Sequence, residues 1–176
     1  MLLLSPFFRI DSIANNELII SGDLQLISKD TIEVCFSWVD KNNLISFTEA
    51  PIGTRETKLW EQTCFEVFIQ PAGHSRYFEI NLTANKAWNV FEFADYRSPQ
   101  PPQEFANADV LNFTVGGGQL RAQIKFAGEH FKKIKLSICA VVKLNDLPVS
   151  YWSTKHADQK PNFHHFESLF IERNAP

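Results

Sequence analysis

The chain has 176 residues, with 17 basic against 20 acidic side chains and a net charge of −3, a length that fits one domain burying roughly 70% of its unfolded surface. Apolar residues make up 44% and charged ones 21%, close to the globular norm of roughly 45–50% and 25%, which argues against disorder. No apolar run approaches the about 18 residues of a spanning helix, and no Lys/Arg cluster offers a phosphate-backbone surface, so neither a membrane nor nucleic acid is expected as a partner.

The opening Met1-Leu2-Leu3-Leu4-Ser5-Pro6 lacks both a basic lead and an apolar stretch long enough for a secretion signal, so a cytoplasmic location is expected. Sixteen Phe, four Trp and three Tyr, with little 3.6-residue periodicity, favour strand over helix. Glu17–Ile27 and Thr31–Val39 pair through a turn at Ser28-Lys29-Asp30, and Ile32, Val34, Phe36 and Trp38 point one way. Trp38 is therefore placed in the core, and so is Trp60, which precedes the most apolar strand. Between them Ala50–Trp60 carries Gly, Pro and mixed charge and reads as a loop.

Cys64–Gln70, Tyr77–Leu82 and Ala87–Phe93 form a meander with turns at Pro71-Ala72-Gly73-His74 and Thr83-Ala84-Asn85-Lys86. Ser98–Asp109 opens on Ser98-Pro99-Gln100-Pro101-Pro102, which cannot hold a central strand and is read as a loop over a sheet edge. Leu111–Val115 and Gln119–Phe126 flank Gly116-Gly117-Gly118, a hairpin turn. Ile134–Val142, Val149–Trp152 and Ser168–Ile171 bring the total to about eleven strands, the pattern of an all-β, antiparallel, jelly-roll-like sandwich. No repeat or linker divides it, so residues 1–176 are read as a single domain. Cys35, Cys64 and Cys139 have no Cys-x-x-Cys spacing and read as buried free thiols.

Alternation assigns the meander's faces. Phe65, Val67 and Ile69 oppose Glu66 and Phe68, and Phe78, Ile80 and Leu82 oppose Tyr77, Glu79 and Asn81. In the third strand Phe91 and Phe93 are placed inside, with Trp88, Val90 and Glu92 outside. One face then gathers Glu66, Tyr77, Glu79, Asn81, Trp88 and Glu92. Sugars bind such a surface, because their C–H faces stack on aromatic rings while fixed acceptors and amides take the hydroxyls. A plain solvated outer face is the competing reading. Carboxylates facing across strands also approach the spacing of a retaining glycosidase pair, although nothing marks one of them as the acid.

A second constellation runs from Tyr151-Trp152 through His156 to Lys160-Pro161-Asn162-Phe163-His164-His165-Phe166. Trp152, His156 and His164 are expected to fold back over the mouth of the concavity. Adjacent histidines on extended chain point to opposite sides, so at most one of His164 and His165 faces any one centre. Hydrogen bonds to loop carbonyls are preferred to metal ligation for these rings, and no resident metal is assigned.

The segment Leu59-Trp60-Glu61-Gln62-Thr63-Cys64-Phe65-Glu66-Val67-Phe68-Ile69-Gln70, with Tyr77-Phe78-Glu79-Ile80-Asn81, resembles the central strands of the DOMON-like superfamily, in particular domains similar to carbohydrate-binding module family 9. Ala87-Trp88, Tyr96-Arg97 and Tyr151 to His165 are similar to a bacterial subgroup of these proteins, and together the matches span roughly residues 5 to 172. The resemblance implies a jelly-roll-like sandwich that grips a sugar between aromatic side chains. It gives no cofactor: Met1 is the only methionine for haem ligation, and Thr63 and Cys64 stand near where relatives often place calcium-binding Asp. The reading from sequence is a non-catalytic module binding a carbohydrate, glycoconjugate or other small polar ligand. An enzyme using His156 and His164, with or without a metal, and a protein-interaction module are the alternatives.

Overall fold

The computed structural model describes residues 1–6, 17–48, 53–169 and 171–176. Among these, thirteen β-strands form: β1 (Leu2–Leu3), β2 (Ser5–Pro6), β3 (Leu18–Ser28), β4 (Thr31–Asp40), β5 (Cys64–Pro71), β6 (Tyr77–Leu82), β7 (Trp88–Phe93), β8 (Gln103–Glu104), β9 (Ala108–Gly116), β10 (Gln119–Phe126), β11 (Lys133–Leu144), β12 (Leu147–Ser153) and β13 (Ile171–Asn174). Single 3-10 turns lie at Leu59–Glu61 and Phe166–Ser168. The expected all-β antiparallel sandwich is the architecture observed. The count exceeds about eleven because β1, β2 and β8 have two residues each, too few to leave an alternation in sequence.

One sheet has five strands in the order β1-β3-β4-β10-β9; the other runs β2-β12-β11-β5-β6-β7-β8, with β13 also pairing β11. All ladders are antiparallel. Strand β11 gives its first half to β13 and its second half to β12, so both partners share one edge while β5 takes the other. Between the sheets Ile32, Val34 and Phe36 meet Phe65, Val67, Phe78 and Ile138 in a core sealed from water. Each such side chain stabilises the fold by roughly 1.5–3 kcal/mol. The sheets approach so closely at Gly22 that a Cβ there would lie 2.5 Å from Ile138 Cγ2. The hairpin between β9 and β10 turns through Gly117 (φ 58°) and Gly118 (φ 71°), where two successive positive φ angles match the twist of the strands.

Four sequence-based placements change. Trp38 stacks on Phe65 with ring centres 5.1 Å apart but stays half-buried at the core's margin, because β4 runs out of the sandwich there. Trp60 is half-buried on the opposite side of the second sheet, edge-on to Phe91 at 5.8 Å. The last strand begins at Ile171, since Ser168 belongs to a 3-10 turn; of the loop assigned to Ala50–Trp60, Ala50, Pro51 and Ile52 lie outside the described residues, and Leu59 and Trp60 open a 3-10 turn. The Ser98–Asp109 stretch is loop apart from β8 and the first residues of β9, and β8 pairs β7 at the sheet edge.

The outer face of the second sheet is not solvated. Every residue of β6, and all of β5 except Gln70, is buried. The turn at Leu59–Glu61, the loop around Arg97 and the segment from Pro161 to Leu169 cover it.

Candidate functional site

On β5 and β6 the strand period sends Glu66, Phe68, Tyr77, Glu79 and Asn81 to this covered face, as alternation predicts. Strand β7 has the opposite phase from that expected. Its register sets Phe93 against Tyr77, Phe91 against Glu79 and Asn89 against Asn81, so Asn89, Phe91 and Phe93 share the face with the carboxylates. Trp88 and Glu92 therefore do not join the site. Trp88 packs at the edge of the main core beneath the Arg55 guanidinium, and Glu92 reaches Arg76 at 3.1 Å. Trp152 is likewise turned into the main core, opposite Ala140, which leaves Tyr151 on the site face. His156 is held away by a 2.9 Å hydrogen bond between Nε2 and the Ser5 carbonyl.

His164 does swing over the face, and a chain of hydrogen bonds fixes its ring. The Arg97 backbone N–H donates to the Tyr77 hydroxyl at 3.1 Å, which leaves that hydroxyl's proton for His164 Nδ1 at 2.8 Å. Nδ1 is then the acceptor, so Nε2 carries the hydrogen and faces Glu79 Oε2 at 3.5 Å. Asn81 donates to the other Glu79 oxygen at 2.8 Å. Phe68 and Phe93 stand edge-on to the imidazole, 5.0 and 5.1 Å away. Burial, with the Arg97 charge nearby, holds the imidazole pKa down to about 3, so the ring is neutral. His165 points away and accepts from the Glu167 N–H.

Arg97 adopts left-handed backbone (φ 50°), uncommon for a side chain of its size. That conformation aims its N–H at Tyr77. The two covering segments also hold each other: Asn162 donates to the Tyr96 hydroxyl at 2.9 Å and accepts from the Arg97 guanidinium at 3.5 Å.

Beneath these segments lies a cavity of about 280 Å³. Glu66, Phe68 and Glu79 form its floor, Trp60, Tyr151 and Phe163 supply aromatic wall, and Arg97, Gln100, Pro102 and Pro161 surround its mouth. Glu66 is 3% exposed, and among the described residues no group donates a hydrogen bond to its carboxyl. Its oxygens are not sealed off and open onto the cavity. Burial and the neighbouring Glu79 push the Glu66 pKa well above the usual carboxylate range; burial raises Glu79 to about 7, against the pull of Asn81 and Arg97. Two acids in an enclosed site with raised pKa values mark a functional centre more often than a structural one.

Trp60, Arg97, Gln100, Tyr151 and Phe163 were not among the residues singled out from sequence for this site. Tyr151 had a usable signal, since it alternates with Trp152; loop residues such as Arg97 have no period to read.

No protein-family model and no curated protein matches this chain by sequence. A crystal structure of a Bacteroides uniformis protein, given a candidate role in carbohydrate binding, is similar in fold: the TM-score is 0.62 at 13% identity, over 98% of this chain and 86% of that one.

Proposed function

We propose that the chain is a non-catalytic ligand-binding sandwich that takes a carbohydrate or similar small polar ligand into the cavity over β5 and β6, in the manner of DOMON-like domains resembling carbohydrate-binding module family 9. The observation that carries this reading is the Glu66 carboxyl, an acceptor with no donor among the described residues, on the floor of an aromatic-walled cavity. An unpaired buried acceptor costs about 1–3 kcal/mol, a loss that a ligand hydroxyl or amine recovers on binding. Trp60 and Tyr151 offer ring surface for sugar C–H faces, and Arg97 offers a donor at the mouth. The role given to the Bacteroides uniformis protein is in line with this reading.

A glycan array with the purified protein, run with and without chelator and beside the Glu66→Gln variant, tests it. Selective signal that Glu66→Gln abolishes and chelator leaves unchanged is the expected result; no glycan retained by either protein would overturn the reading. The paired acids favour one second reading, glycoside cleavage by Glu66 and Glu79, for which turnover of chromogenic glycosides is the assay. The enzyme based on His156 with His164 loses support, because those rings engage Ser5 and Tyr77 respectively.

A further inference from the structure

The two floor carboxyls are provided for unequally. Glu79 has Asn81 on one oxygen and the His164 Nε2–H facing the other, whereas Glu66 has no donor among the described residues. The groups around Glu66 are Cys64 on its own strand, Glu79 and Asn81 on β6, Cys139 on β11, and Tyr151, Arg97 and His164 from the covering elements. Arg97 is the one cation lining the cavity among the described residues. Arg97 balances only one of the two acids and His164 is neutral, so the empty pair keeps a proton; ionising both needs one more positive charge, and the carboxyl open to receive it is Glu66.

We propose that the missing charge comes from the ligand: a hexosamine whose primary ammonium group seats against Glu66 while its ring lies on the aromatic wall. This rests on the carbohydrate reading above. An ammonium supplies three donors to a carboxyl that has none, and an ion pair repays the desolvation of a buried acid only when hydrogen bonds complete it. Trp60, Phe68, Tyr151 and Phe163 present ring faces or edges around the cavity, and an ammonium gains cation–π attraction over a ring face where a neutral hydroxyl does not. A cavity of about 280 Å³ lies just below the usual range for small-molecule pockets, which suits one sugar ring rather than an oligosaccharide. Burial holds the Cys64 and Cys139 thiols up, the latter to about 12, so the carboxyl pair alone changes charge there near neutral pH. Seating an ammonium favours the ionised pair and expels the proton it holds in the empty site.

The test is calorimetric titration of the intact protein near pH 6 with glucosamine, galactosamine and mannosamine, their neutral parent hexoses, N-acetylglucosamine and cyclohexylamine, in two buffers of different ionisation enthalpy. One of the amino sugars is expected to bind at least about tenfold tighter than its neutral parent and to release close to one proton. Linkage then makes its affinity rise by up to about tenfold per pH unit until the empty pair loses its own proton or the ligand amine deprotonates. Glu66→Gln removes the preference, and Trp60→Leu weakens the amine by several-fold with the protein still folded by its melt. Equal binding of neutral and amino sugars without proton release overturns this proposal and leaves the carbohydrate reading standing. Cyclohexylamine binding as well as the amino sugars overturns the hexosamine assignment, and no sugar binding of any kind overturns both.

Discussion

Strands β5 and β6 are buried on both faces, and the two faces are buried by different means. Toward the other sheet, Phe65, Val67, Phe78 and Ile80 pack in the apolar core, with one charged neighbour at its margin, the Arg76 guanidinium 5.1 Å over the Phe78 ring. Toward the covering loops, Phe68 and Tyr77 share space with two acids, an amide and an imidazole. One strand thus carries a dry seam holding the sheets together and, a residue further on, a polar seam whose needs the protein meets only in part. Stability concentrates on the first face, and chemistry is retained on the second against a standing energetic cost.

The largest effect that would test this contrast is Phe78→Ala. Phe78 lies edge-on to Phe105 and Phe126 in the dry seam, and its loss should destabilise by about 3–5 kcal/mol in denaturant melts. Ligand affinity of the folded fraction should not change; a change would mean that the faces are not independent. Tyr77→Phe probes the other side without altering volume. It strands His164 Nδ1 and the Arg97 N–H together, so a loss of about 1–3 kcal/mol is expected, with weaker ligand binding as the loops loosen.

Glu66→Gln should move stability in the opposite direction, by an amount that depends on pH. A carboxyl whose folded pKa is raised contributes stability that is fully present below its unfolded value of 4.5 and is lost as pH rises through the folded value, about 7 for Glu79 and likewise high for Glu66. His164 runs the other way: its folded value near 3 lies under 6.5, so stability is present above 6.5 and lost as pH falls. Removing the Glu66 charge should therefore raise stability near pH 8 and change it little near pH 5. Thermal melts at both pH values decide it, and a variant less stable at pH 8 would show that the ionised carboxyl is well solvated. The smallest effect is expected from His156→Ala, which loses a hydrogen bond to the Ser5 carbonyl: about 1 kcal/mol or less, with ligand titrations unchanged.

The double burial also explains what was legible in the sequence. In β5 and β6, Glu66, Glu79 and Asn81 alternate with apolar residues, so the phase was readable and held. In β7 the alternation sets Trp88, Val90 and Glu92 against Asn89, Phe91 and Phe93, and both sets contain large apolar groups because both faces are covered. Hydrophobicity then ceases to distinguish inside from outside. Glu92 looked like a site residue because it is charged, yet it sits at a strand end where Arg76 can reach it. Trp152 misled in the same way, as its ring fills the dry seam while Tyr151 takes the wall. The mouth residues Arg97, Gln100 and Pro102 come from a stretch that was legible only as loop, and their placement depends on long-range contacts such as the Arg97 N–H on Tyr77.

Strand β11 pairs Cys139 with Ser153 and Leu136 with Ile171, so the segment that carries Asn162, Phe163 and His164 leaves and rejoins the sheet three residues apart on one edge. For a loop anchored on neighbouring rungs, each doubling of length costs only about 0.6 kcal/mol in closure entropy, and neither strand register has to change. Insertions at the exposed positions between those anchors, such as residues 158–160, are therefore cheap for folding while they reshape one wall of the cavity. A lineage of such proteins could exchange one ligand for another by drift in this segment alone, with the two-sheet scaffold passing unaltered between descendants.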